Sequence, residues 1–89
     1  MQIPTRIEWP PILHKIMATL DSCGRSDLAD EIENKIKFNF TASEIFGETG
    51  LFLIKIKQTE KALFKKIQPD YDEYFKHLVA QGMFIGIDY

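Results

Sequence analysis

Apolar residues recur at three- and four-residue steps along most of this chain, the spacing that lays one continuous stripe along a helix. Between Phe40 and Ile67, the positions Ile45, Thr49, Phe52, Leu53, Ile56, Leu63, Phe64 and Ile67 keep that step. The same stretch opens with a helix start. In Phe40-Thr41-Ala42-Ser43-Glu44-Ile45, Thr41 can accept the Glu44 amide while the Glu44 carboxylate takes the Thr41 amide, a reciprocal capping box. Phe40 and Ile45 are spaced to close over the entrance as a hydrophobic staple. Gly47 and Gly50 each cost roughly 1 kcal/mol against alanine in a helix. That cost has a use where another backbone must approach closely, and a kink is the alternative.

A second pattern competes over 51–57. Phe52, Ile54 and Ile56 alternate with Leu51, Leu53, Lys55 and Lys57, as in a strand. The cap upstream and Lys61-Ala62-Leu63-Phe64-Lys65-Lys66 downstream favour the helix. A break is expected near Gln58 or Thr59, with Thr59 capping a second segment.

The flanking segments are read the same way. Met1 to Trp9 contains Pro4 and runs into Pro10-Pro11, which predicts an extended arm with Trp9 plugged into the core. Pro10-Pro11 opens a helix carrying Ile12, Leu13, Ile16, Met17 and Leu20 and stopping at Gly24. Ser26 or Asp27 caps a second helix to about Lys37, with Leu28, Ala29, Ile32 and Ile36 as its stripe and acids in its first turns, where the helix dipole favours them. Asn39 is a candidate left-handed residue in the link that follows. Pro69-Asp70 starts a last helix bearing Tyr71, Tyr74, Phe75 and Leu78, ended by Gly82 with Met83 folded back on Leu78. The tail Met83 to Tyr89 is unusually apolar for a terminus and is expected either to dock or to bind, docking being favoured. Pairing of the N-terminal arm with this tail as two strands is a weaker alternative.

These elements define the expected fold: all-α, a compact bundle of four to five short helices with an extended N-terminal arm and an apolar C-terminal tail. The alternative is α+β with a strand at 51–57. The totals agree with one domain over 1–89: the chain is 89 residues long, 45% hydrophobic and 27% charged. So short a chain buries only about 60% of its unfolded surface, so a second copy would help its stability. One cysteine precludes an intrachain disulfide, the first residues lack a secretory pattern, and no apolar run approaches the ~18 residues of a membrane span. A cytoplasmic protein without membrane contact is expected. The sequon Asn39-Phe40-Thr41 is then a chance match.

Chemistry is sparse. His14, His77 and Cys23 are far apart in sequence, and Glu73 with His77 at i and i+4 reads as a surface pair rather than half of a bundle metal site. Cys23 would need a histidine and an orienting group to act as a nucleophile. Gly47-Glu48-Thr49-Gly50 lacks the lysine-serine/threonine ending of a phosphate loop. No enzyme activity, metal or cofactor is expected.

Charge says more. Leu51 to Gln68 carries five lysines against one glutamate, whereas Pro69 to Tyr89 carries one lysine against four acids, within a net charge of −2. Lys57, Lys61 and Lys65 would line one face of a continuous helix. That face supports an alternative function, a helical domain binding nucleic acid through the basic stretch 55–66. The first two helices, joined by Asp21-Ser22-Cys23-Gly24-Arg25-Ser26, have the short glycine-containing link of a helix-turn-helix, but the second begins with Asp27, Asp30 and Glu31, the wrong sign for phosphates. The favoured expectation is a non-catalytic protein-interaction module: an inhibitor, an immunity- or antitoxin-like neutraliser, or an adaptor. Its partner would be another protein or a second copy of the chain, met through Tyr71, Tyr74, Phe84 and Tyr89.

Overall fold

The computed structural model describes residues 11–89, and the expected N-terminal arm with Trp9, and its pairing with the tail, lie outside them. The described chain is all-α, with four helices: α1 Pro11–Ser22, α2 Ser26–Lys37, α3 Ala42–Thr59 and α4 Lys61–Ala80. Residues 51–57 are helical within α3, so the strand alternative is overturned.

In α1, Leu13, Ile16 and Leu20 are fully buried at helical spacing, with Ile12 and Met17 packed at the margin. The helix ends at Gly24 as its sequence predicts. Gly24 adopts φ +77°, its amide donates to Asp21 O at 3.0 Å, and the Arg25 amide reaches Leu20 O at 2.9 Å. That bond pair is the Schellman closure, and it satisfies carbonyls the helix leaves open.

The start of α2 differs from expectation. Arg25 occupies the N-cap without a side-chain cap bond, and Ser26 is already helical. Asp27 turns instead to Arg25, its Oδ1 accepting from Nε at 3.1 Å, and this guanidinium holds the Asp27 carboxyl below its usual range. Ala29 and Ile32 face the core, with Leu28 and Ile36 half-buried beside them. At the other end Asn39 is not left-handed; its Nδ2 donates to Lys35 O at 2.7 Å, closing α2 by a side chain instead.

The capping box of α3 forms as read: Thr41 Oγ1 accepts from the Glu44 amide and Glu44 Oε1 from the Thr41 amide, both at 3.2 Å. The staple does not. Ile45 is buried, but Phe40 is 94% exposed and does not close over the helix entrance. The break between α3 and α4 falls at Glu60 (φ −126°, ψ 61°) rather than at Thr59, whose hydroxyl donates to Lys55 O at 2.8 Å inside α3.

Pro69 does not start a helix but lies inside α4. Its missing amide leaves the Lys65 carbonyl without a helical donor, and Lys65 is exposed, so solvent can serve it. Helix packing outweighs that loss. Phe64, Ile67, Tyr71, Tyr74, Phe75 and Leu78 are all buried on the inward face of α4, on both sides of the proline. Burying each such side chain is worth about 1.5–3 kcal/mol, comparable to the interior-proline penalty of ~3 kcal/mol.

Each helix packs against its neighbours in cyclic order, α1 on α2, α2 on α3, α3 on α4 and α4 back on α1. Arg25 Nη1 meets Glu60 Oε1 at 2.9 Å, which places the α1–α2 turn beside the α3–α4 corner at one end of the bundle. The α2–α3 link and the end of α4 therefore share the opposite end. Among the described residues no helix is long and apolar enough to cross a membrane.

Candidate functional site

The tail after α4 returns along the seam between α3 and α4. Gly82 (φ +86°) reverses the chain as expected, with its amide on Val79 O at 2.9 Å and the Met83 amide on Leu78 O at 2.9 Å. It is the same closure that ends α1. Met83 then lies over Gly47, and the Phe84 ring fills the space above Gly50, where a Cβ would stand 2.7 Å from Phe84 Cε2 and Cζ. Gly50 is buried beneath it. The two glycines that weaken α3 thus make the seat for the tail, though what comes close is side chains rather than a second backbone.

Phe75 is the floor of the seat. Its ring meets Phe84 edge-on at 5.3 Å and stacks almost parallel on Tyr89 at 4.6 Å with an interplanar angle of 13°. Offset or edge contacts of this kind contribute about 0.5–1.5 kcal/mol each beyond their buried area. Lys57 closes the far end. Its Nζ donates to the Tyr89 main-chain oxygen at 2.9 Å and lies 5.7 Å and 5.8 Å above the rings of Phe64 and Tyr71. One lysine therefore ties the tail to the aromatic cluster.

The geometry has a strained point. Phe84 is the one non-glycine residue with positive φ among the described residues (φ 60°). A side chain in that region costs on the order of 1 kcal/mol. It lies within the reversal between Gly82 and Gly86, both also at positive φ.

Of the residues expected on a partner surface, Phe84 and Tyr89 lie in the tail, half-buried. Tyr71 and Tyr74 lie in the core, 1% and 0% exposed, and cannot reach a partner in this fold. Tyr74 Oη lies 2.8 Å from Thr49 Oγ1, which itself donates to Ile45 O at 2.7 Å, so the tyrosine is the donor to Thr49. The Tyr71 hydroxyl is buried without a hydrogen-bond partner among the described residues. Burial pushes both phenols up to about 12, Tyr71 also feeling the charges of Asp72 and Asp88.

The expected lysine row does not form. Lys57 belongs to α3 and Lys61 and Lys65 to α4, so the bend at Glu60 interrupts the continuous face that their spacing requires. All three are exposed, but Lys57 is committed to the tail. Elsewhere, Cys23 is exposed at the α1–α2 turn. Glu73 and His77 border an open groove between α1 and α4, the His77 ring packed on Phe46 at 5.7 Å. Among the described residues no three His, Cys, Asp or Glu side chains converge as a metal site.

The sequence places Phe75 on the stripe of the last helix and Ile85 and Ile87 in the apolar tail, but it does not show Phe75 as the seat of that tail, the two isoleucines as its outward face, or Lys57 as a clamp. The signal for the last was present only as a lysine between two apolar segments. In comparisons with known proteins, no protein family, curated protein or solved structure matches this chain.

Proposed function

We propose that the protein is a non-catalytic protein-interaction module whose contact element is the C-terminal tail. One observation supports this reading above the rest: the segment that anchors Phe84 and Tyr89 inward turns Ile85 and Ile87 outward, 68% and 52% exposed. Exposed isoleucines on a docked segment differ from scattered apolar residues on a surface, because the docking holds them in one place and orientation. A partner then captures them without paying to order the segment. An inhibitor, a neutraliser or an adaptor works through such a face.

The basic stretch 55–66 supports the nucleic-acid reading less well, since it is divided between two helices and Lys57 is engaged. The test replaces Ile85 with a photo-cross-linking amino acid and irradiates the protein in extract of its native host. The reading expects one defined adduct, suppressed by excess unlabelled protein but not by the Ile85→Ser/Ile87→Ser variant. Diffuse labelling, or equal suppression by both competitors, contradicts it.

A further inference from the structure

The seat between α3 and α4 receives a segment of known sequence, Phe84 to Tyr89, and the contacts that hold it do not depend on which copy of the chain supplies it. Phe84 fills the space over Gly50, Tyr89 stacks on Phe75, and Lys57 takes the Tyr89 main-chain oxygen. Only the link from Met83 to Phe84 makes the arrangement intramolecular, and that link carries the left-handed Phe84. Short reversals under strain favour exchange of an element between copies, because opening the hinge removes the strain while every other contact is recovered in the partner.

We propose that two copies of this chain exchange residues 84–89, each tail seated over Gly50 and Phe75 of the other copy. An extended Met83–Phe84 link relieves the positive φ in both copies. The exchange is isologous, so it closes as a two-fold dimer rather than a fibre. The single chain leaves Ile85 and Ile87 on the tail and Leu51 (62% exposed) beside Gly50 in water, apolar surface that a second copy can cover. The inference deepens the reading of the tail as contact element and names the occupant as a second copy.

The experiment is sedimentation equilibrium of the full chain over a wide concentration range, with three variants. Inserting three glycines between Met83 and Phe84 lets each tail close on its own body without strain, so dimerisation is expected to weaken by about tenfold or more, the loss of two strained links per dimer. A copy with its seat filled (Gly50→Leu, tail intact) and a copy with a blank tail (Phe84→Gly/Tyr89→Gly, seat open) are each expected to be monomeric alone and to form a heterodimer when mixed. Should Gly50→Leu fail to fold, the insertion variant alone decides. A wild-type chain that stays monomeric at all concentrations overturns the exchange while leaving a different protein as partner for Ile85 and Ile87. A dimer unaffected by the insertion, but abolished by Ile85→Ser/Ile87→Ser, also overturns it and keeps the tail as a contact surface.

Discussion

The Phe84 ring occupies the space that any side chain at residue 50 would need, with two ring atoms 2.7 Å from the Cβ position of Gly50. A helix interior that would otherwise gain from alanine is kept open for the tail. Gly50→Ala is therefore expected to leave helical content unchanged or slightly raised, since alanine is favoured by roughly 1 kcal/mol in a helix. The methyl group displaces Phe84, and chymotrypsin is expected to cut after Phe84 several times faster than in the wild type. Limited proteolysis followed by mass spectrometry reads this directly; an unchanged cleavage rate would separate the glycine from the tail.

The buried hydroxyls of α4 give opposite expectations. Tyr74→Phe removes the donor to Thr49, 2.8 Å away, and is expected to lower stability by about 0.5–1.5 kcal/mol. Thr49→Val is expected to cost more, about 1–3 kcal/mol, because the Tyr74 hydroxyl then stays buried without a partner. Tyr71→Phe deletes a hydroxyl that has no partner among the described residues, and is expected to be neutral or stabilising. Urea unfolding of the three variants measures the set.

Alkali tests the same two rings. Burial holds both phenols neutral in the folded state, raising them from 10.0 to about 12. A raised pKa of this kind means that their contribution is complete below the ordinary tyrosine value and is lost as pH climbs through the folded one. Stability is thus expected to fall between pH 10 and 12, by on the order of 2 kcal/mol per tyrosine. The alkaline slope is expected to shrink in Tyr74→Phe; an unchanged slope would assign it to other groups.

The entrance of α3 separates a working cap from a staple that does not close. Thr41→Ala removes the oxygen that accepts the Glu44 amide and is expected to cost about 1 kcal/mol. Phe40→Ser, at a position 94% exposed, is expected to change stability by less than about 0.5 kcal/mol. Comparable losses for both would restore the staple.

Much of this fold is legible before any coordinates, and the reasons are local. The capping box at Thr41 and the reversals at Gly24 and Gly82 depend on bonds within a few residues, so the sequence around them determines them. The apolar stripes of α1 and α2 emerge for the same reason. What failed depends on distant partners. Pro69 reads as a first-turn residue, but Phe64 and Ile67 before it and Tyr71 and Tyr74 after it bury on one face and carry the helix through. The tyrosines read as interface residues because aromatics beside an apolar terminus suit a partner surface, yet Thr49, 25 residues upstream, satisfies the hydroxyl of one of them inside the core. The lysine spacing holds in sequence but not in space, since a single non-helical residue, Glu60, redirects the chain. At the tail, its apolar character and the usefulness of the α3 glycines are each readable alone. That they are two halves of one contact emerges only when α3 and α4 are packed together.

The docked tail is the claim on which the rest turns, and nuclear Overhauser contacts between the Gly50 α-protons and the Phe84 ring test it most directly. Strong cross-peaks are expected there, with Gly50 α-protons shifted by the ring current and Tyr89 ring protons shifted by Phe75. Random-coil shifts for Met83 to Tyr89, with no contact to Gly50 or Phe75, would contradict it.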